Sequence, residues 1–195
     1  MTIALPSSPA PRSATPRPMT RRRDATPIFN GPESRTQFLG DRWALDVELP
    51  PMTYTQAMAW ISALTRGGSE RVSLPFPQPG FDTGAPGTTL VKGAGQLGQS
   101  LIVDGFNAYT VKDGQFFNVI TAGRRYLHMA TADISAVAGQ ATLAFLPMLR
   151  RSPTDNAPVE LAAPLIEGFV SGRDWSWTVD LAQTVGLAFT IGERE

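Results

Sequence analysis

Hydrophobic and polar positions alternate most clearly over residues 43–49. Trp43, Leu45, Val47 and Leu49 share one face, and Ala44, Asp46 and Glu48 share the other. A period of two marks a half-buried strand. Pro50-Pro51 cannot continue a ladder and forces a corner. The period then changes. Ala57, Ile61 and Leu64 form a helical stripe, widened by Tyr54, Met58 and Trp60, which predicts one helix over about 53–66. Thr53 and Gln56, three apart, have the capping-box pattern, and Gly67-Gly68 predicts a left-handed C-cap. Upstream, RTQFL and RWALDVEL around Gly40-Asp41 predict a hairpin over 35–49.

Beyond the helix, RVSLPF (71–76) predicts a short strand, and PQPGFDTGAPGTT (77–89) an exposed loop. The chain then breaks into short strand-like runs: 89–92, 101–103, 108–111, 115–120, 125–130, 141–146, 159–161, 166–170, 175–180 and 185–191. Asp104-Gly105, Lys112-Asp113-Gly114, Ala122-Gly123 and Ala138-Gly139 are the turn signals between them. Many short strands and one helix predict a mainly β fold, an antiparallel β-barrel or sandwich, over residues 28–195. Trp43, Leu45, Val47, Ile61, Leu64, Leu101, Val103, Phe117, Val119, Leu143, Phe145 and Phe189 are its expected core.

Residues 1–27 read differently. Pro6, Pro9, Pro11, Pro16, Pro18 and Pro27 exclude a helix or a central strand, which leaves an extended arm. The formal net charge of the 195-residue chain is zero, but residues 1–24 carry five arginines against one acid, and the remainder carries 12 basic and 16 acidic residues. Arg12, Arg17, Arg21, Arg22 and Arg23 are therefore the candidate protein-interface residues. The expected role of the arm is to lie on an acidic neighbouring subunit. Interleaved aromatics and a nucleic-acid recognition module are both lacking, so sequence-specific nucleic-acid binding is not expected.

The remaining chemistry is sparse. With no cysteine and one histidine, neither a disulfide nor an ordinary zinc site is expected. No apolar run approaches ~20 residues, so no membrane span is expected. Gly93–Gly98 matches GxGxxG, but a β-like run follows where a dinucleotide site needs a helix N-terminus, and a glycine-rich loop is the better reading. His128 alternates with apolar neighbours and no GxSxG elbow occurs, so it reads as a strand residue near a contact surface rather than a catalytic base. Asp82, Asp104, Asp113, Asp133 and Asp155 mostly neighbour glycine, proline or asparagine and read as turn-shaping acids. Of Phe116-Phe117, alternation buries at least one. Trp175 and Trp177 share a strand face. Exposed together they would suit a carbohydrate-binding β-sandwich for host-surface glycans, and buried together they would be core. No catalysis, cofactor or metal is expected.

Three segments together resemble tail-tip proteins of long-tailed bacteriophages, of the distal-tail type. FNGPESRTQFLGDRWALDVELPPMTYTQAMAWISALTRGG (29–68) is similar to the family's opening strand pair, proline corner and Trp-centred helix. LIVDGFNAYTVKDGQFFNVITAGRRYLHMATADISAVAGQATLAFLPMLRRSP (101–153) is similar to its barrel segment, although Asp113-Gly114-Gln115 stands where the family has Gly-Asp. WSWTVDLAQTVGLAFTIGER (175–194) is similar to its closing strands. The resemblance implies a structural virion protein made in the host cytoplasm. It would form a homo-oligomeric ring, commonly a hexamer, between the tail tube and the tip or baseplate. Tube and tip or hub proteins would be its partners, and DNA would pass through the lumen. No catalytic residue is implied, and the arm lies outside the resemblance.

Overall fold

The structure, a computed structural model, describes residues 2–26, 31–172, 176–179 and 184–194. In chain order the elements are β1 (Thr2–Ala4), β2 (Ser13–Met19), β3 (Arg22–Ala25), β4 (Ser34–Gln37), β5 (Arg42–Glu48), β6 (Met52–Thr53), α1 (Tyr54–Arg66) and β7 (Arg71–Pro75). They continue with β8 (Gly87–Val91), β9 (Ser100–Phe106), β10 (Thr110–Val111), β11 (Phe116–Thr121), β12 (Arg124–Ala130), β13 (Ile134–Ser135) and β14 (Gln140–Leu146). The last are β15 (Val159–Glu160), β16 (Leu165–Val170), β17 (Thr178–Val179), β18 (Thr184–Gly186) and β19 (Ala188–Gly192). The protein is mainly β with one helix among the described residues, as the sequence predicts.

Two sheets carry the body. The first runs β1-β7-β16-β19-β5-β2, antiparallel except for the parallel β1–β7 pair. The second runs β15-β11-β12-β14-β9-β8. Its two edges meet through the Leu90–Pro158 bridge and the hydrogen bond from Val91 N to Ala157 O (2.9 Å), so it forms a nearly closed barrel.

Each sheet has its own core. Trp43, Leu45, Val47, Trp60, Leu64, Val72, Ile166 and Ile191 pack between the first sheet and α1. Leu101, Val103, Phe117, Val119, Leu143 and Phe145 fill the barrel. The β11–β12 hairpin is the wall between the two. Phe117 points into the barrel, while Phe116 packs on the other core, at 5.0 Å from the Trp43 ring. Leu127 likewise joins the first core, and Ala130 the second. All the expected core residues are buried except Ile61, which is half-buried against the first core.

Helix α1 starts as predicted, with Thr53 N donating to Gln56 Oε1 at 3.1 Å. Its stripe is narrower than expected: Ala57, Trp60 and Leu64 are buried, while Tyr54 and Met58 are 54% exposed. Its end also differs. Gly67 is right-handed (φ −63°, ψ −11°), not a left-handed cap. Glycine is required there by space, because a Cβ would lie 2.6 Å from Val72 Cγ1 and 3.0 Å from Val170 Cγ2.

The predicted 35–49 hairpin does not form. β4 pairs with β3, and β5 lies between β19 and β2. Asp104-Gly105 is not a turn but lies inside β9, where the ladder with β8 shifts register. Ala122-Gly123 and Ala138-Gly139 do turn, all with positive φ.

The arm is extended, but its own body holds it. β2 pairs with β5 along seven residues, from Ser13–Glu48 to Met19–Arg42. Pro16 and Pro18 are two apart, so both missing N–H groups fall on one edge of the strand, and an edge strand has one edge that needs no partner. Ile3 and Leu5 are buried in the first core, and Trp60 Nε1 donates to Ser8 O at 3.2 Å. Intramolecular pairing supplies the order that the sequence attributes to a neighbouring subunit. Pro27, Phe29 and Asn30, and residues 175 and 180 of the predicted 175–180 strand, lie outside the described residues.

Candidate functional site

The strands β2, β5 and β19 bring three arginines, Arg21, Arg42 and Arg194, to one end of the first sheet. Gly192 faces Ala44, and Met19 faces Arg42. Continued by two residues, the first register sets Arg194 opposite Arg42, and the second sets Arg21 opposite Gly40. Gly40 (φ +120°) lets the Arg21 side chain lie close over the backbone, since a Cβ there would be 3.2 Å from Arg21 Cδ. Arg150, which follows β14, completes the group. Together with Leu39 and Gly40, these residues line a cleft of about 580 Å3.

Asp41, buried beside the cleft, accepts from Arg21 N, and a second buried acid, Glu193, sits at Arg150. Glu193 is 1% exposed, and its carboxylate accepts from Trp43 N (3.0 Å), Leu127 N (2.8 Å) and Arg150 Nη2 (3.0 Å). Burial pushes its carboxyl above the ordinary glutamate range, against the pull of Arg150 and the two backbone donors. The Arg150 guanidinium also lies 4.9 Å from the Tyr126 ring centre. Glu193 has an architectural role as well. β12 pairs with β14 only at Met129 and Ala130, so the outward N–H groups of Leu127 and Arg125 face no strand. Glu193 takes the first, and the buried Glu167 takes the second (3.3 Å) while pairing with Arg71 (3.2 Å). Two carboxylates thus stand in for a missing strand and tie the barrel to the first sheet.

The cleft keeps an excess of positive charge. Arg42 Nε and Arg150 Nε are buried and meet no hydrogen-bond acceptor among the described residues, and the Arg150 side chain is only 4% exposed. Burial first, and then the charges of Arg21, Arg194 and Arg150, hold the Arg42 guanidinium below its ordinary range, with Glu193 opposing. Guanidinium forks match carboxylate and phosphate geometry, so oxyanions are the chemistry this arrangement can hold.

Of the arginines singled out in the sequence, Arg21 alone joins this cleft. Arg12 and Arg17 pair with their own body, at Glu48 (4.0 Å) and Asp46 (3.3 Å). Arg22 pairs with Asp24 (3.5 Å), and Arg23 stands exposed on β3. These solvent-facing pairs contribute only ~0–1 kcal/mol each. Sequence reasoning missed Arg42, Arg150, Arg194 and Glu193. Each has an ordinary local setting, and only the β5–β19 and β12 pairings unite them.

A larger groove of about 810 Å3 lies over β5 and β19, lined by Ser13, Thr15, Asp46, Ser176, Thr178 and Thr190 among others. Both its acids, Asp46 and Glu48, already face arm arginines, and Thr190 Oγ1 donates to Asp46 at 2.6 Å. Trp177 is 40% exposed; Trp175 lies outside the described residues.

His128 is not near a surface. It is fully buried against Phe117 and Phe145, with ring centres at 5.8 and 4.7 Å, and its Nδ1–H donates to Pro147 O at 2.8 Å. Burial drives its pKa down to about 3. Residues 93–98 connect β8 to β9, and Gln96 fixes them through bonds to Lys92 O and from Ile102 N. Asp82 closes a turn on Gly84 N, Asp155 accepts from Gly93 N, and Asp133 accepts from Asp113 N and Lys112. No group of three His, Cys, Asp or Glu side chains that could hold a metal occurs among the described residues. No helix among them is long and apolar enough to cross a membrane. No protein-family model and no curated protein matches the chain.

Proposed function

We propose that this chain is a structural protein of a long-tailed bacteriophage tail tip, of the distal-tail type. In this reading it forms a homo-oligomeric ring, six subunits by resemblance, that joins the tail tube to the tip or baseplate and lets DNA pass through its lumen. It is made in the host cytoplasm, ends in the virion, and works by contact rather than catalysis. One observation carries the reading: the three resembling segments divide along the architecture. Residues 29–68 contain β5 and α1, 101–153 contain most of the barrel, and 175–194 contain the closing strands. Tyr54 and Met58 on the outer face of α1, and Val179 on β17 (58% exposed), offer apolar side chains for subunit contact. Electron microscopy of the purified chain tests it. Closed rings with a central lumen support the reading, as does their loss in a Tyr54→Ser, Met58→Ser variant that keeps its fold. Isolated single particles at high concentration count against it.

A second reading, a carbohydrate-binding module for host-surface glycans, is favoured by the hydroxyl-lined groove and the part-exposed Trp177. Glycan-array binding that Trp177→Ala abolishes would support it, and an array with no signal would dismiss it.

A further inference from the structure

The arginine cleft has no assigned occupant, and it does not need the ring to exist. Its construction is unfavourable for the isolated chain. Arg42 and Arg194 are cross-strand neighbours by register, and directly opposed like charges destabilise a sheet. Of the two buried acids beside the four guanidiniums, Asp41 accepts from Arg21 N and Glu193 already accepts from three donors. Two buried Nε–H groups meet no acceptor among the described residues, and a buried donor without a partner is costly. A ligand bearing two or more oxyanion groups would relieve the like-charge repulsion.

The rim indicates which ligand. Leu39 lines the cleft and is 67% exposed, and its neighbour Phe38 is 49% exposed. Arginine beside exposed apolar and aromatic side chains is the composition of a protein-binding hot spot. A long phosphate backbone is less suited. Outside the first 24 residues the chain carries more acidic than basic groups, and that field repels a polyanion which must extend past the cleft. A short acidic segment meets only the local positive field.

We infer that the cleft formed by Arg21, Arg42, Arg150 and Arg194 binds an acidic, partly apolar segment of a partner protein. Carboxylates of that segment meet the exposed guanidiniums of Arg21 and Arg194 and the half-buried one of Arg42, with Arg150 behind them on Glu193, and an aliphatic side chain of it packs on Leu39. Specificity would come from the spacing between its acids and its apolar residue, and affinity would fall with salt.

Fluorescence anisotropy of the full chain with a labelled peptide of alternating glutamate and leucine tests this, with pyrophosphate and a short DNA duplex as competitors. Saturable peptide binding is expected. It should weaken about tenfold or more in Arg42→Gln and in the exposed Arg194→Gln, and it should weaken in Leu39→Ser while the competitors have little effect. Thermal melting of both arginine variants should be unchanged or raised, because each removes a like-charge repulsion. Should Arg42→Gln fail to fold, Arg194→Gln carries the test alone. Absence of saturable peptide binding at low salt would overturn the inference, as would binding indifferent to Arg194→Gln. Displacement of the peptide by stoichiometric pyrophosphate or DNA would overturn it in favour of a phosphate ligand. Each of these results is independent of whether the chain forms a ring.

Discussion

Acidification should loosen the barrel through a single side chain. His128 is the only histidine of the chain. It is fully buried between Phe117 and Phe145, neutral, and bonded through Nδ1–H to Pro147 O. Its pKa falls from 6.5 to about 3, first because burial disfavours the imidazolium and further because Arg150 repels it, with the Pro147 bond opposing. The folded state therefore binds fewer protons than the unfolded state between these values, and stability falls as pH drops below 6.5. Each unit is worth ~1.36 kcal/mol, so at pH 4.5 the loss approaches ~2.7 kcal/mol. For a domain of this size that lowers Tm by ~5–10 °C. The loss continues to about pH 3, where the folded form itself takes the proton. Glu193, whose carboxyl is raised by burial, acts in the opposite sense, so the comparison must be made against a variant. Calorimetry from pH 7.5 to 4.5 on the wild type and His128→Asn, whose amide can still donate to Pro147, isolates the histidine. A Tm that declines in the wild type and flattens in the variant is expected. Equal slopes in both proteins would refute the assignment.

Other expectations follow from single contacts. Glu193→Gln leaves Arg150 buried without its counter-charge and should cost ~3–5 kcal/mol in denaturant unfolding, far more than Glu160→Gln at the half-exposed Arg125 pair. Gly67→Ala should cost ~1–3 kcal/mol by overpacking on Val72 and Val170, and Gly68→Ala, whose Cβ would lie 3.3 Å from Thr65 O, should cost less; thermal melts compare them. Deleting residues 1–20 removes β2 and the buried Ile3 and Leu5, at ~1.5–3 kcal/mol for each side chain, and bares the edge of β5. The truncated chain should melt markedly earlier, and an unchanged melt would mean that the arm contributes nothing to its own body.

Local pattern carried the sequence reading where one element decides its own conformation. The alternation from Leu45 to Leu49, the Thr53–Gln56 cap and the positive-φ turns at Ala122-Gly123 and Ala138-Gly139 are all short-range and present, whereas Ala44, on the outer face by period, is buried. Long-range pairing was not legible. Proline at 16 and 18 argues against a central strand but not against an edge strand, and only the exposed flank of β5 shows which edge was available. The 35–49 hairpin failed for the same reason, since β5 found better partners in β2 and β19. The sequence places His128 on a strand near a contact surface, because a lone polar residue in an apolar strand carries no record of which wall it faces, and β12 has a core on both sides. The arginine cleft was invisible because its residues come from four distant places. Glu193 lies near the chain's end, where a glutamate would ordinarily be read as solvated.

Assembly into a closed ring, as proposed, is read from the mass of the full-length protein in solution. Multi-angle light scattering over a concentration series should give one species near 126 kDa, six times the 21.0 kDa of the chain. A mass that stays at a single chain through the highest concentration reached, in low and high salt alike, would rule out the ring.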